Sequence, residues 1–218
     1  MQNQPRQPGQ TNNNQQQMQS EQMPPAQSHG GHEMFDAHEM LTSTINVLDQ
    51  YMIFRPHVND QELLSILDRQ YDYMTTQYNR MVEALSTGQK PSMSIQPYEM
   101  PASNNVTYGM KPSQPKKPSG TLSEVSEEGL SAQMQGLLKS ATSMFAMGAP
   151  EVTNPVLRRV IADCIPDFIE MAYEVFLYQN RNGYYQVPQL QQADMDKLLH
   201  AFSPSRANIQ QSNQGPMH

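Results

Sequence analysis

Cysteine is almost absent from this chain: of 218 residues only Cys164 carries a thiol. A single thiol can build neither an intramolecular disulfide framework nor a multi-cysteine metal site. Long apolar runs are missing too, and none approaches the length needed to cross a bilayer. The N-terminus shows no hydrophobic h-region, so the expectation is a protein that is not Sec-exported and stays in the cell that makes it. Positive charge is scarce as well, with 14 Lys and Arg against 21 Asp and Glu, for a net charge of -7. No basic footprint for DNA or RNA follows from such a balance. Gly-rich phosphate loops, nucleophile elbows and zinc motifs do not occur.

Apolar residues are also in short supply, at 37% with a mean hydropathy of -0.70. The shortfall lies in the two ends and a middle stretch, which leaves about 120–140 residues rich enough to bury a core. Charge follows the same division. Residues 32–88 hold nine acids and three bases, residues 121–188 hold eight and four, and residues 89–120 hold four Lys and one Glu. Acidic folded parts are thus joined by a weakly basic linker.

Residues 1–31 are mostly Gln, Asn and Pro. Such a segment cannot bury enough surface to offset its ordering entropy, so a disordered tail is expected, with multivalent stickiness as its sharper reading. Residues 32–88 read as a helical hairpin. Met34, Ala37 or His38, Leu41, Ile45, Leu48 and Met52 recur at helical spacing, and Pro56 stops the first helix. Asn59, with Glu62 three residues on, reads as the cap of a second helix. Its expected seam is Leu64, Leu67, Tyr71, Met74, Tyr78, Met81 and Leu85, closed by Gly88.

Residues 89–120 have no helical period and read as a long extended connection, unusual inside a small domain. A second hairpin is expected over residues 121–188. Thr121 and Glu124 suggest a capping box, followed by Val125, Leu130, Met134, Leu137, Leu138, Ala141, Met144 and Phe145, with an end near Gly148. Asn154 caps the next helix and Pro155 stands at its first position. The stripe there is Leu157, Ile161, Cys164, Phe168, Met171, Ala172, Val175 and Tyr178, with a kink expected at Pro166 and a stop at Gly183. Residues 189–218 read as a short helix and a polar tail. Two hairpins joined by a long crossover give the connectivity of an all-α, ferritin-like four-helix bundle.

Residues 153–187 carry a family resemblance. A Thr153-Asn154-Pro155 helix start followed by Leu157 and Arg158, a long amphipathic helix, then Asn182, Gly183, Tyr184, Tyr185 and Val187 resemble the repeat unit of the spore coat protein F family. Pro166 inside the helix and Tyr184, where Trp is frequent, are departures. The resemblance implies a ferritin-like bundle deposited in the coat of a bacterial endospore, made in the mother-cell cytoplasm. Its implied partners are other spore coat proteins and further copies of itself, with no nucleic acid and no membrane span. A metal-binding ferritin-like protein and a soluble sporulation adaptor are the alternatives.

A di-metal bundle needs a Glu from each of two helices and Glu-x-x-His pairs from the other two, because a three-residue step returns both ligands to one face. That spacing is missing, so no catalytic, cofactor or metal residues are assigned. Glu170 and Glu174, four apart, could share a cation but read first as a solvated helix face. His29, His32 and His38 cluster before and within the first helix and read as surface or partly packed residues. Cys164 reads as a buried thiol. The 17 methionines read mainly as seam fillers. On the linker, Tyr98, Tyr108, Lys116 and Lys117 are expected to be exposed and open to cross-linking.

Overall fold

The structure is a computed structural model and describes residues 29–101 and 103–205. Most of the expected Gln/Asn-rich tail, and the end of the expected polar C-terminal tail, therefore lie outside the described residues. Four long helices carry the fold: α1 Gly31–Phe54, α2 Gln61–Thr87, α3 Glu127–Gly148 and α4 Pro155–Arg181. A short α5, Gln192–Leu199, follows. Among the described residues β structure is limited to one isolated parallel bridge, Tyr108 to Val187. The protein is all-α.

Local chemistry sets the helix ends. Pro56 sits in the 3-10 turn Arg55–His57 that closes α1. The cap of α2 is Asp60, whose carboxylate accepts the N–H groups of Glu62 and Leu63 at 2.8 and 3.0 Å. The expected cap, Asn59, stands one residue early, and its N–H donates instead to Glu127 at 2.7 Å, joining the α1–α2 turn to the start of α3. Gly88 ends α2 with φ 66, a left-handed geometry that glycine adopts without a Cβ clash. Thr121 and Glu124 begin only the 3-10 turn Leu122–Glu124, so α3 starts later than expected, behind Ser126. Asn154 caps α4 as expected, accepting from Val156 and Leu157 at 2.9 and 2.8 Å. α4 continues as one helix through Pro166, which lies on the exposed side.

α1 packs chiefly on α2 and α3, and α4 on the same two helices. The pairs α1/α4 and α2/α3 therefore stand diagonally, and the connection from α2 to α3 crosses the bundle. It runs as a strap along α4. Near its start Ser92 donates to Glu83 at the end of α2. Further on Thr107 pairs with Asn180, and Gly109 donates to the Val187 carbonyl at 2.9 Å. Lys116 then meets the Tyr184 carbonyl at 3.1 Å and Glu128 of α3 at 2.6 Å. The strap's length is the distance it must cover.

The core is apolar and methionine-rich. Met40, Met74, Met81, Met134 and Met171 are buried among Leu63, Leu67, Leu138, Leu157, Phe145 and Phe168. Phe145 and Phe168 meet edge to face at 5.1 Å, a favoured arrangement of ring quadrupoles. Gly148 lets α1 approach closely, because a Cβ there would stand 2.9 Å from the Met40 sulfur. Every expected stripe residue of α4 is buried. The first hairpin differs. Its buried face in α2 is Leu63, Ile66, Leu67, Gln70, Met74, Gln77, Met81 and Ala84, while Leu64, Tyr71, Tyr78 and Leu85 flank it half-buried. In α1 the buried set includes Met40, Thr44, Val47, Leu48 and Tyr51, whereas Ile45 and Met52 are exposed.

Candidate functional site

The rotation of the α2 seam has a cause on α4. Asp167 and Glu174 are seven residues apart and share a face, and Gln70 and Gln77 on α2 have the same spacing. The helices run antiparallel, so Gln70 meets Glu174 and Gln77 meets Asp167. Gln70 donates to Glu174 and to the Met171 carbonyl, each at 3.0 Å, and Gln77 donates to Asp167 at 2.7 Å. Two buried amides thus sit in an otherwise apolar seam because two buried carboxylates face them. Buried polar groups persist where their hydrogen bonds are made.

Further residues of α2, together with the strap and α1, complete the network. Arg69 of α2 approaches Glu174 at 2.5 Å, and the Tyr98 hydroxyl of the strap donates to Glu174 at 2.6 Å. Arg69 also donates to the Tyr98 oxygen at 3.1 Å, and Tyr51 of α1 donates to Gln70 at 2.8 Å. Asp167 accepts the Tyr98 N–H at 2.9 Å and the Tyr73 hydroxyl at 2.8 Å. Tyr73 and Tyr98 stand edge to face at 5.1 Å. Burial, then the bond to Glu174, pushes the Tyr98 phenol above its ordinary range. Burial and Asp167 do the same to Tyr73. Both remain protonated donors. The network clips the strap to the bundle.

These positions correct two expectations. Glu174 is 1% exposed rather than solvated, and its oxygens already hold Arg69, Gln70 and Tyr98. Tyr98 is 6% exposed, so it is no accessible linker tyrosine, whereas Tyr108 is 62% exposed. Lys117 is exposed, as is Lys116, the latter engaged as described. Nothing in residues 89–120 alone marks Tyr98 as buried; its signal is the pair of acids on α4.

A second polar joint lies at the opposite end of α4. Glu33, in the first turn of α1, is 1% exposed. It accepts the N–H groups of Thr153 and Asn154 at 2.7 and 3.1 Å and the Thr153 hydroxyl. His29 reaches Glu33 at 2.6 Å and the Leu85 carbonyl of α2 at 2.7 Å. Burial alone would raise the Glu33 pKa, but the bonds from Thr153, His29 and Asn154 outweigh it and hold the carboxyl below its ordinary value. His29 is therefore packed, while His32 pairs at the surface with Asp36 at 3.1 Å and His38 is exposed. The three histidines do not converge. Among the described residues no group of three His, Cys, Asp or Glu is placed to hold a metal ion. Cys164 is buried, donates to the Val160 carbonyl at 3.2 Å, and is pushed up to about 12 by burial and by Asp167.

The Coat F domain family matches residues 126–188, which span α3, α4 and the turn after them. The spore coat protein F-like protein YhcQ of Bacillus subtilis strain 168 is 48% identical over 180 residues, covering 83% of each chain. This chain belongs to the spore coat protein F family.

No solved structure matches it. Within this Coat F protein the signature residues have distinct mechanical tasks. Thr153 and Asn154 hold Glu33, and Asn154 caps α4 as well. Gly183 takes φ 76, reversing the chain so that the Tyr184 and Tyr185 N–H groups return to the Gln179 carbonyl at 2.8 and 3.2 Å. The Asn180 amide grips the carbonyls of Thr107 and Tyr185, both at 3.0 Å. The Coat F ending is therefore where the strap is fastened. Among the described residues no helix is long and apolar enough to cross a membrane.

Proposed function

We propose that this protein is a component of the bacterial spore coat that acts by assembling with other coat proteins and performs no catalysis. The observation that carries the reading is family membership, through the Coat F match over residues 126–188 and the relationship to a spore coat protein F-like protein. The interior agrees with it. In a ferritin-like oxidase, inward-facing carboxylates and histidines are kept for metal. Here Glu174, Asp167 and Glu33 are each committed to protein donors, and Tyr51 and Gln70 occupy the space between helices. A cation would have to displace Arg69 from Glu174, exchanging one charge pair for another with no gain in pairing.

The protein is made in the mother-cell cytoplasm and reaches the spore surface from there. The test is fractionation of purified spores into coat extract and core, with an antibody against the full chain. Recovery in the coat extract is the expected outcome. Recovery only in the core or in the soluble mother-cell fraction would overturn the reading in favour of a soluble sporulation adaptor. Iron or manganese bound stoichiometrically to the purified protein would overturn its non-catalytic part.

A further inference from the structure

α5 is a helix with an unused face. Met195, Leu198 and Leu199 fall on one side at spacings of three and four, and Phe202 follows just beyond the helix. No residue of the helix is buried: Met195 is half-buried, and Leu198 is 59%, Leu199 67% and Phe202 91% exposed. Asp194, paired with Lys197 at 3.0 Å, and Asp196, bonded by Gln192 at 2.8 Å, flank that stripe on its two edges. Such a helix has low intrinsic stability at eight residues and gains it by covering its apolar stripe.

The same chain offers a surface of matching form. Between α3 and α4 lies an open groove of about 600 Å³, with Ala172 among its lining and Ile169, Tyr173, Phe176 and Tyr185 forming an apolar ridge. Tyr173 stacks on Phe176 at 5.6 Å, and Tyr185 meets Phe176 edge to face at 5.2 Å. Ile169 is 54% and Tyr185 43% exposed. Ile169 and Phe176 are seven residues apart on α4, roughly 10 Å of helix, and the eight residues of α5 span about 12 Å. Lys139 is the charged side chain in the described lining, opposite in sign to Asp194 and Asp196. Groove and helix are open at the same time in one molecule, so they do not satisfy each other within the chain.

We propose that α5 of one copy docks in the α3–α4 groove of a second copy, an amphipathic helix laid in an apolar groove. The contact pairs two different surfaces, so it is heterologous: each copy gives one helix and receives another, and the series either closes as a ring or continues as a filament. This deepens the assembly reading and rests on it, supplying a contact by which copies of the chain join.

The test uses the purified full chain. Sedimentation should show association that rises with concentration, and Leu198→Glu with Leu199→Glu should weaken it roughly 100-fold. Both residues are exposed, so the melting temperature should not change. Mixing a Ser143→Cys chain with a Leu199→Cys chain should give a disulfide between the two, which a Ser119→Cys partner does not give. A wild-type chain that stays monomeric at all concentrations would overturn the proposal. So would a Ser143→Cys, Leu199→Cys double variant that cross-links only within one chain, since α5 would then fold back on its own groove. Failure here is separable from failure of the coat reading: a monomeric protein recovered in the coat extract sinks only the docking contact.

Discussion

α4 has two unlike neighbours. Toward α3 it is mainly apolar: Phe168 meets Phe145 edge to face inside the buried core, beside two amide-to-backbone bonds, Gln135 to Ala172 and Gln179 to Ser131. Toward α2 and the strap it offers Asp167 and Glu174, each held by amide, phenol or guanidinium donors. The first contact is non-directional and worth energy in proportion to area. The second contributes little net energy for its desolvation, but its bonds form only when Gln70 faces Glu174 and Gln77 faces Asp167. A slip of one turn would part both amides from their carboxylates. One side of α4 holds the bundle together, and the other fixes how its parts are aligned.

This contrast can be broken from the apolar side first. Phe168→Ala removes a fully buried ring and its contact with Phe145. It is expected to cost about 3–5 kcal/mol, read as a lower urea midpoint with an unchanged slope. On the polar side Glu33→Gln comes next, at about 2 kcal/mol near neutral pH, because it weakens charge-assisted bonds to Thr153, Asn154 and His29. The folded carboxyl has its pKa lowered from 4.5, so the stability it adds is fully present above that value. That contribution is lost as pH falls through the lowered value. The gap between wild type and Glu33→Gln, measured by urea titration, should therefore narrow as the solution is acidified below pH 4.5. A gap that does not vary with pH would remove the carboxylate from the account.

Tyr98→Phe gives the smallest effect, about 1 kcal/mol, and sharpens the comparison most. Its signature should be local: faster amide exchange over residues 92–109 with little change in α3. A double-mutant cycle with Glu174→Gln should show coupling, whereas Tyr98→Phe with Phe168→Ala should be nearly additive. Coupling of equal size in both cycles would mean that the two sides of α4 are not distinct.

The same contrast explains what could be read before the structure was known. In α4 the apolar stripe is continuous from Leu157 to Tyr178, and all of it is buried. In α2 the regular series of Leu, Tyr and Met shares Leu67, Met74 and Met81 with the true seam but passes over Gln70 and Gln77. Hydrophobic periodicity finds a face only where the face is apolar, and these amides are inside because of acids about 90 to 104 positions away. Tyr98 reads as exposed for the same reason, since the carboxylates that bury it lie on α4. Asn59 and Asp60 are both good caps, and composition alone does not choose between neighbours. The Coat F ending was legible as a motif; its hold on the strap depends on Thr107 and Gly109, far off in the chain.

The strap also decides what a protease could do to this molecule. Residues 111–120 are exposed throughout, whereas Tyr98, Thr107 and Gly109 before them are bonded to α4 or the turn after it. A cut in the exposed stretch would leave one fragment with α1, α2 and most of the strap, and another with α3 and α4. Each fragment buries its apolar face against the other, so the nicked chain would keep its shape as a two-piece complex. Chain continuity is needed to bring the hairpins together, and much less to keep them so.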